Sequence, residues 1–356
     1  MLKNAAVLSL EDGTKFVGFS FGAEMSVQGE VVFNTSMIGY PELFSDPGMK
    51  GKIVVLTYPL TGNYGVPPRE IEDDLLLNFE SEKMQIAGLV VTDYSDEYSH
   101  WNAVDSLGDW LRASEVPAIC GIDTRALAQH LREKGEQRGT ITIEGAKMKP
   151  EPSDRIAEVS TKEPMVYNEG GNPTIALLDT GVRNNVIRSL IRRGVKVLRL
   201  PWNVDLSTHE WDGLMLVDAP GDPSPAAANV ARALEKGKPV FGVCGGDKLL
   251  ALAAGAKIKK LDHSHRSQNQ PVLEVGTDNA VITNQNHSWA VDEKTLPTGW
   301  KVWYTNLNDG STEGISHSTK PFSAIAWQPE ATNHPEEADA IYDDFITSIR
   351  KHNGTK

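Results

Sequence analysis

The chain has 356 residues, of which 40% are hydrophobic and 23% charged, with a formal charge of −13 at pH 7 and only two cysteines, Cys120 and Cys244. This is the composition of an ordinary globular protein, long enough for two domains with separate cores. The acidic balance argues against nucleic acid or an anionic membrane as main partner, two distant cysteines do not form a disulfide framework, and no run reaches the roughly 20 apolar residues that span a bilayer.

In chain order, "MLKNAAVLSLEDGTKFVG" moves straight into an alternating strand with a turn at Asp12-Gly13. It has no apolar h-region and no arginine-rich transit character, so together with the sparse cysteines it points to the cytoplasm. "KFVGFSF", "GEVVFNTS", "KIVVLTYP" and "AGLVVTDY" are β-branched runs between Gly, Pro and Asp turns. Helical patterns fall at "AVDSLGDWLRAS" and at "DTRALAQHLREKG", the latter starting at an Asp and stopping at Gly135. Residues 1–145 are read as one β-rich α/β domain. Residues 146–173 are polar, with three prolines before Tyr167 and the pair Gly170-Gly171, and are read as a connection with room for a short helix near Ile156.

From Thr174 the pattern changes. "TIALLD", "VKVLRL", "GLMLV" and "PVFGV" are strands with helical segments between several of them. "GVRNNVIRSLIRRG" lines Val182, Val186, Ile187, Leu190 and Ile191 on one face and closes at Gly194. The spacing predicts a last helix over Glu336 to His352. Residues 174–356 therefore read as a doubly wound, largely parallel α/β domain.

Within it, "KPVFGVCGGDKLLALAAGAK" is a strand, a sharp turn bearing Cys244, and a helix. A thiol on such an elbow sits where backbone N–H groups favour the thiolate. On spacing alone, a cysteine after a strand reads first as a buried structural thiol. Three further stretches join it: the turn "APGDP" (219–223), the polar cluster "NQNHSWAV" (284–291), and "WQPEA" (327–331) at the end of the strand "FSAIAW".

The order of these pieces resembles the class I, triad-type glutamine amidotransferases, and specifically the small subunit of carbamoyl-phosphate synthetase. "GEVVFNTSMIGYPE", "LTYPLTGNYGVP", "HWNAVDSLGDWL" and "GIDTRALAQHLREKG" look like that subunit's own N-terminal domain. "DTGVRNNVIR", "LPWN" and "RSQNQPV" are similar to the form fused into the large eukaryotic synthetases. The resemblance runs almost end to end. It implies a thiolate that attacks the side-chain amide of L-glutamine, a histidine held by a glutamate that shuttles the proton, and ammonia passed to a large subunit that alone uses ATP and Mg. No cofactor is then expected in this chain. The product would feed pyrimidine or arginine biosynthesis.

Carried over position by position, Cys244 matches the nucleophile and Glu330 the orienting acid, but the histidine position is Gln328. An amide has no useful proton affinity near neutral pH. Around the nucleophile, Gly245 replaces a large apolar residue and Lys248 a substrate-contacting glutamine. Asp218 and Ala219 stand for Asn-Gly before Pro220, and Ser288 and Trp289 for Gly and Phe. Ser36, Gly221 and Asn286 still match glutamine-binding positions.

No other histidine is an evident replacement. His334 reads as a loop residue and His287 as support within the "QNH" motif. His263 and His265 alternate beside Asp262 without a completed ligand spacing, so no metal site is expected. The glycine turns "TGNYGVP" and "EGGNP" lack a phosphate-loop Lys and Ser, so no nucleotide site is expected either. The leading reading is a small subunit with a degenerate glutaminase site and a structural or regulatory role toward an ammonia-using large subunit. The alternatives are a working glutaminase, and a repurposed cysteine hydrolase or binding protein for a negatively charged ligand facing Lys248.

Overall fold

The computed structural model describes residues 4–331 and 340–354. The chain forms two compact units, Met1–Arg155 and Ile156–Lys356.

In the first unit, seven strands close into a barrel in the order Ala5–Leu10, Gln137–Ile143, Val27–Asn34, Lys52–Leu56, Gly88–Val90, Ala118–Cys120 and Lys15–Ser20. Closure comes from the first hairpin, where Val7 faces Val17 across the turn at Asp12-Gly13 while Leu8 faces Ile141 on its other side. Runs such as "IVVL" are continuously apolar because both faces of these strands are covered. Val31, Ile53 and Val55 belong to one core with Leu127 and Leu131 of the helix Thr124–Lys134. Val32, Val54 and Leu56 belong to a second core with Trp110 and Leu111 of the helix Leu107–Ala113. The first of these helices starts at the predicted Asp123 and the second lies within the predicted stretch 103–114; they are capped by Asp123 and Ser106, whose side chains accept from the Ala126 and Asp109 N–H groups.

The second unit is built on a ten-stranded sheet. Its centre is parallel, in the order Lys196–Pro201, Thr174–Asp179, Gly213–Leu216, Val240–Gly242 and Phe322–Ile325. Along one strand the faces alternate. Val240 packs into a core with the helices Ser224–Leu234 and Gly246–Ala254, whereas Phe241 meets Tyr342 and Phe345 of the helix Ile341–Gly354, with ring centroids 6.3 and 5.4 Å away. Helices thus cover both sides, as a doubly wound sheet requires.

The parallel core is extended further than the sequence predicts. Thr312–His317, Trp300–Asn306, Ile258–Glu274 and Ala280–Val291 continue it as antiparallel strands on one side, and Met165–Tyr167 pairs with Lys196–Pro201 at the opposite edge. The chain passes from one unit to the other inside the polar stretch 146–173, which also carries a short helix at Arg155–Val159. The predicted start of the last helix at Glu336, and His334, lie outside the described residues. Among the described residues, no helix is long and apolar enough to cross a membrane.

Candidate active site around Cys244

The strand Val240–Gly242 ends two residues before Cys244, and the helix Gly246–Ala254 begins two residues after it. Cys244 takes φ 54°, the left-handed region that non-glycine residues rarely adopt, and its N–H donates to the Trp327 carbonyl at 3.1 Å. That bond ties the elbow to the end of the neighbouring strand Phe322–Ile325. The turn can sit this close to the sheet only because position 246 is glycine: a Cβ there would lie 2.3 Å from the Leu216 carbonyl oxygen. Cys244 forms no disulfide and is 3% exposed.

Gln328 stands directly against it. Its Nε2 donates to Cys244 Sγ at 3.7 Å, and its Oε1 accepts from Asn284 Nδ2 at 3.0 Å. The orientation matters: the sulfur faces a donor, whereas a base would have to present a lone pair to the thiol proton. Glu330, two residues on, is buried with Arg183 and Tyr342. The Arg183 guanidinium pairs with Oε1, and the Tyr342 hydroxyl donates to Oε2 at 3.1 Å. The acid therefore has an arginine and a phenol as partners where the family resemblance implies an imidazole.

The substituted positions are also bound to one another. Lys248 is 8% exposed and its Nζ donates to Asp247 Oδ1 at 3.0 Å. Burial alone would lower its pKa, but Asp247, Asp218 and the Cys244 sulfur raise it above the ordinary lysine value, so the ammonium is retained. This charge faces Asp247, whose carboxyl is itself pushed up by burial against the pull of the lysine. Gly245 leaves room for Asp218: a Cβ at 245 would fall 1.8 Å from Asp218 Oδ1. Asp218 also accepts from the Ala219 N–H at 2.9 Å, and Gly221 completes the turn at φ 109°.

On the strand Ala280–Val291, Asn286 and Ser288 are held by a residue that the sequence reading assigned no role. Arg266 Nη1 donates to Asn286 Oδ1, and Nη2 donates to Ser288 Oγ at 2.8 Å. Trp289, on the same strand, is 44% exposed. Ser36 belongs to the first unit, where its N–H donates to Asn34 Oδ1 at 2.8 Å beside a cavity lined by Tyr40, Tyr58 and Tyr64. Of the residues singled out in sequence, Cys244 and Gln328 touch directly, Lys248 and Glu330 are buried in ion pairs, and Asn286 and Ser288 share one arginine. Arg183 and Arg266 were missed. Both lie in stretches quoted for the resemblance, but nothing in their spacing reveals that a buried carboxylate and a buried amide wait for them.

A second polar cluster uses the neighbouring residues of the same strands. His263 is exposed, but His265 turns inward opposite His287, and both approach Glu313. Burial works against each charge, yet Glu313 and Asp309 push His265 up to about 9, and the two histidines draw Glu313 down to about 2.

An elbow cysteine on a doubly wound sheet, with a Glu two residues after the position facing the thiol, defines a glutamine amidotransferase-like unit preceded by a separate barrel. Comparison agrees: residues 8–141 match the family model "Carbamoyl-phosphate synthase small chain, CPSase domain" and residues 176–348 match "Glutamine amidotransferase class-I". The arginine-specific carbamoyl phosphate synthase small chain of Aspergillus oryzae is 41% identical over 99% of this chain and 82% of its own. Proteins named "Carbamoyl-phosphate synthase [ammonia], mitochondrial" are 45% identical in Aquarana catesbeiana and 44% in Homo sapiens over 98% of this chain, which spans only 24% of their length. The chain belongs to the carbamoyl-phosphate synthase small-chain family.

Proposed function

We propose that this chain is a small subunit that no longer hydrolyses glutamine and serves a large synthetase chain supplied with ammonia directly. The observation that carries this reading is the Gln328 amide, which donates to Cys244 Sγ while its own oxygen is engaged by Asn284. Hydrolysis of glutamine needs a C–S bond to form at the amide carbon, a proton to reach the departing nitrogen, and a base to activate water for the thioester. Gln328 can supply none of these proton transfers. Glu330 has Arg183 to neutralise it and no imidazolium to orient. Without those transfers, the helix N-terminus can favour a thiolate but cannot complete a turnover.

The pocket supports the same reading. The carrying-over of Asn286 and Ser288 as substrate contacts meets Arg266 already bonded to both. Several relatives bear "[ammonia]" in their names, which fits a fold kept for assembly after the glutaminase is lost. The "arginine-specific" name of the Aspergillus oryzae relative favours arginine over pyrimidine synthesis as the pathway served. In this reading ATP and Mg belong to the large chain, and the cytoplasm is the compartment.

Co-expression with a large synthetase chain tests the proposal. The two chains should co-elute at micromolar concentration, with an interface of the obligate size, about 2,000 Å² or more. The complex should make carbamoyl phosphate from ammonium and not from glutamine. Separate elution would remove the partner role, and glutamine-driven synthesis would instead establish a working glutaminase.

A further inference from the structure

We propose that His265, His287, Glu313 and Gln285 form a binding site for one divalent transition-metal ion of the zinc type. The cluster is not the amidotransferase site. On the strand Ala280–Val291, Asn284 bonds to Gln328 of that site, whereas Gln285 and His287 alternate with it and point to Glu313.

Four acceptor atoms converge once the outer contacts are counted, with the Asn306 amide Nδ2 as a long donor beside them, 3.3 Å from His265 Nδ1 and 3.4 Å from Glu313 Oε1. His287 Nδ1 lies 3.0 Å from the Trp289 carbonyl oxygen, which can only accept, so the proton of a neutral ring sits there and Nε2 presents its lone pair inward. His265 Nε2 lies 3.0 Å from Asp309 Oδ2, so once a cation displaces the second proton of this ring, Nδ1 is the inward lone pair. Gln285 donates its Nε2 to Thr283 Oγ1 at 3.0 Å and so turns Oε1 toward the rings. Glu313 brings a carboxylate with no exposure.

Their spacing suits a single small cation. His265 Nδ1 is 2.9 Å from Glu313 Oε1, His287 Nε2 is 3.3 Å from Glu313 Oε2, and Gln285 Oε1 is 2.7 and 3.3 Å from the two ring nitrogens. Bonds of about 2.0–2.1 Å around a tetrahedral zinc place its donors roughly 3.3 Å apart. Protons can occupy the centre instead, but buried Glu313 Oε2 then has only a long contact, His287 Nε2 at 3.3 Å, and no hydrogen bond of ordinary geometry. A cation between the rings and the carboxylate satisfies it.

The surroundings match what metal histidines require. Each ring is fixed from behind by an oxygen, Asp309 for one and the Trp289 carbonyl for the other, and the carboxylate is held by Ser311 Oγ at 3.1 Å. Two imidazoles select a transition metal over magnesium or calcium. Bound there, the ion would tie together three antiparallel strands, 258–274, 280–291 and 312–317, that the hydrophobic pattern of the sequence specifies only weakly.

The test uses the purified full chain and zinc or cobalt(II) alone. After incubation with zinc and gel filtration, the wild type should retain one ion per chain, and cobalt(II) should give the visible bands of a four-coordinate site. Glu313→Gln and His287→Gln should each bind at least tenfold more weakly. Asp309→Asn, which leaves the inward set intact, should weaken binding by about tenfold. His263→Ala, outside the cluster, should change nothing. Zinc below a tenth of an ion per chain in the wild type overturns the proposal even if a variant fails to fold. Binding that survives in the Glu313 and His287 variants and is lost with His263→Ala overturns it too, as surface capture.

Discussion

Two buried polar clusters share the strand Ala280–Val291, and they have opposite chemistry. On the Cys244 side, charges and donors are spent on one another: Arg183 with Glu330, Lys248 with Asp247, Arg266 with Asn286 and Ser288, Gln328 with the sulfur. On the Glu313 side, two ring nitrogens, an amide oxygen and a carboxylate converge on one point, while each side leaves one buried carboxylate oxygen without a hydrogen bond, Asp247 Oδ2 and Glu313 Oε2. The first cluster sets an amide, in place of an imidazole, against the thiol. The second has the lone pairs of a ligand site. Burial alone therefore does not mark function; the balance of donors and acceptors does.

The contrast can be broken at the ion pair that holds Glu330. Arg183→Met should leave a carboxylate with 3% side-chain exposure uncompensated and cost about 3–5 kcal/mol in denaturant unfolding. A loss below about 1 kcal/mol would mean that the pair is not what keeps Glu330 in place. Next in size is Gly245→Leu, which restores a large apolar residue at a position where the first added carbon collides with Asp218. It should destabilise by about 1–3 kcal/mol through overpacking. Gln328→His sharpens the contrast on the chemical side. Alone it should leave glutamine turnover at least about a hundredfold below the ~10 per second of a median enzyme, because Lys248, Gly245 and Arg266 still shape the pocket. Adding Lys248→Gln and Gly245→Leu with Asp218→Asn should raise turnover above that of the single variant. The smallest effect belongs to Cys244→Ser, expected to shift stability by less than about 1 kcal/mol and to leave ammonium-driven synthesis in the complex unchanged.

Much of this was legible in the sequence, for reasons that can be assigned. Apolar, β-branched runs such as "TIALLD" and "PVFGV" announce the parallel core because both faces of those strands are buried. The helix Asn184–Arg192 announces itself through Val186, Ile187 and Leu190. The antiparallel extension was silent because Ile258–Glu274 contains "KKLDHSHRSQNQ", whose side chains serve hydrogen bonds and solvent in place of an apolar face. Closure of the first unit into a barrel was silent as well, since closure depends on which strands pair, and pairing is not a property of any one run. Cys244 and Gln328 could be placed together through the resemblance. The partners that fix the site, Arg183 and Arg266, could not, and neither could the meeting of His265, His287 and Glu313 across three strands.

The central claim is that the residue facing Cys244 cannot move a proton. It is tested most directly by ammonia release from glutamine, measured on the purified chain beside its Cys244→Ser variant. The account predicts that the two are indistinguishable and that neither exceeds the uncatalysed background. Turnover near 1 per second in the unmodified chain, within the ordinary enzyme range and abolished by Cys244→Ser, would contradict it.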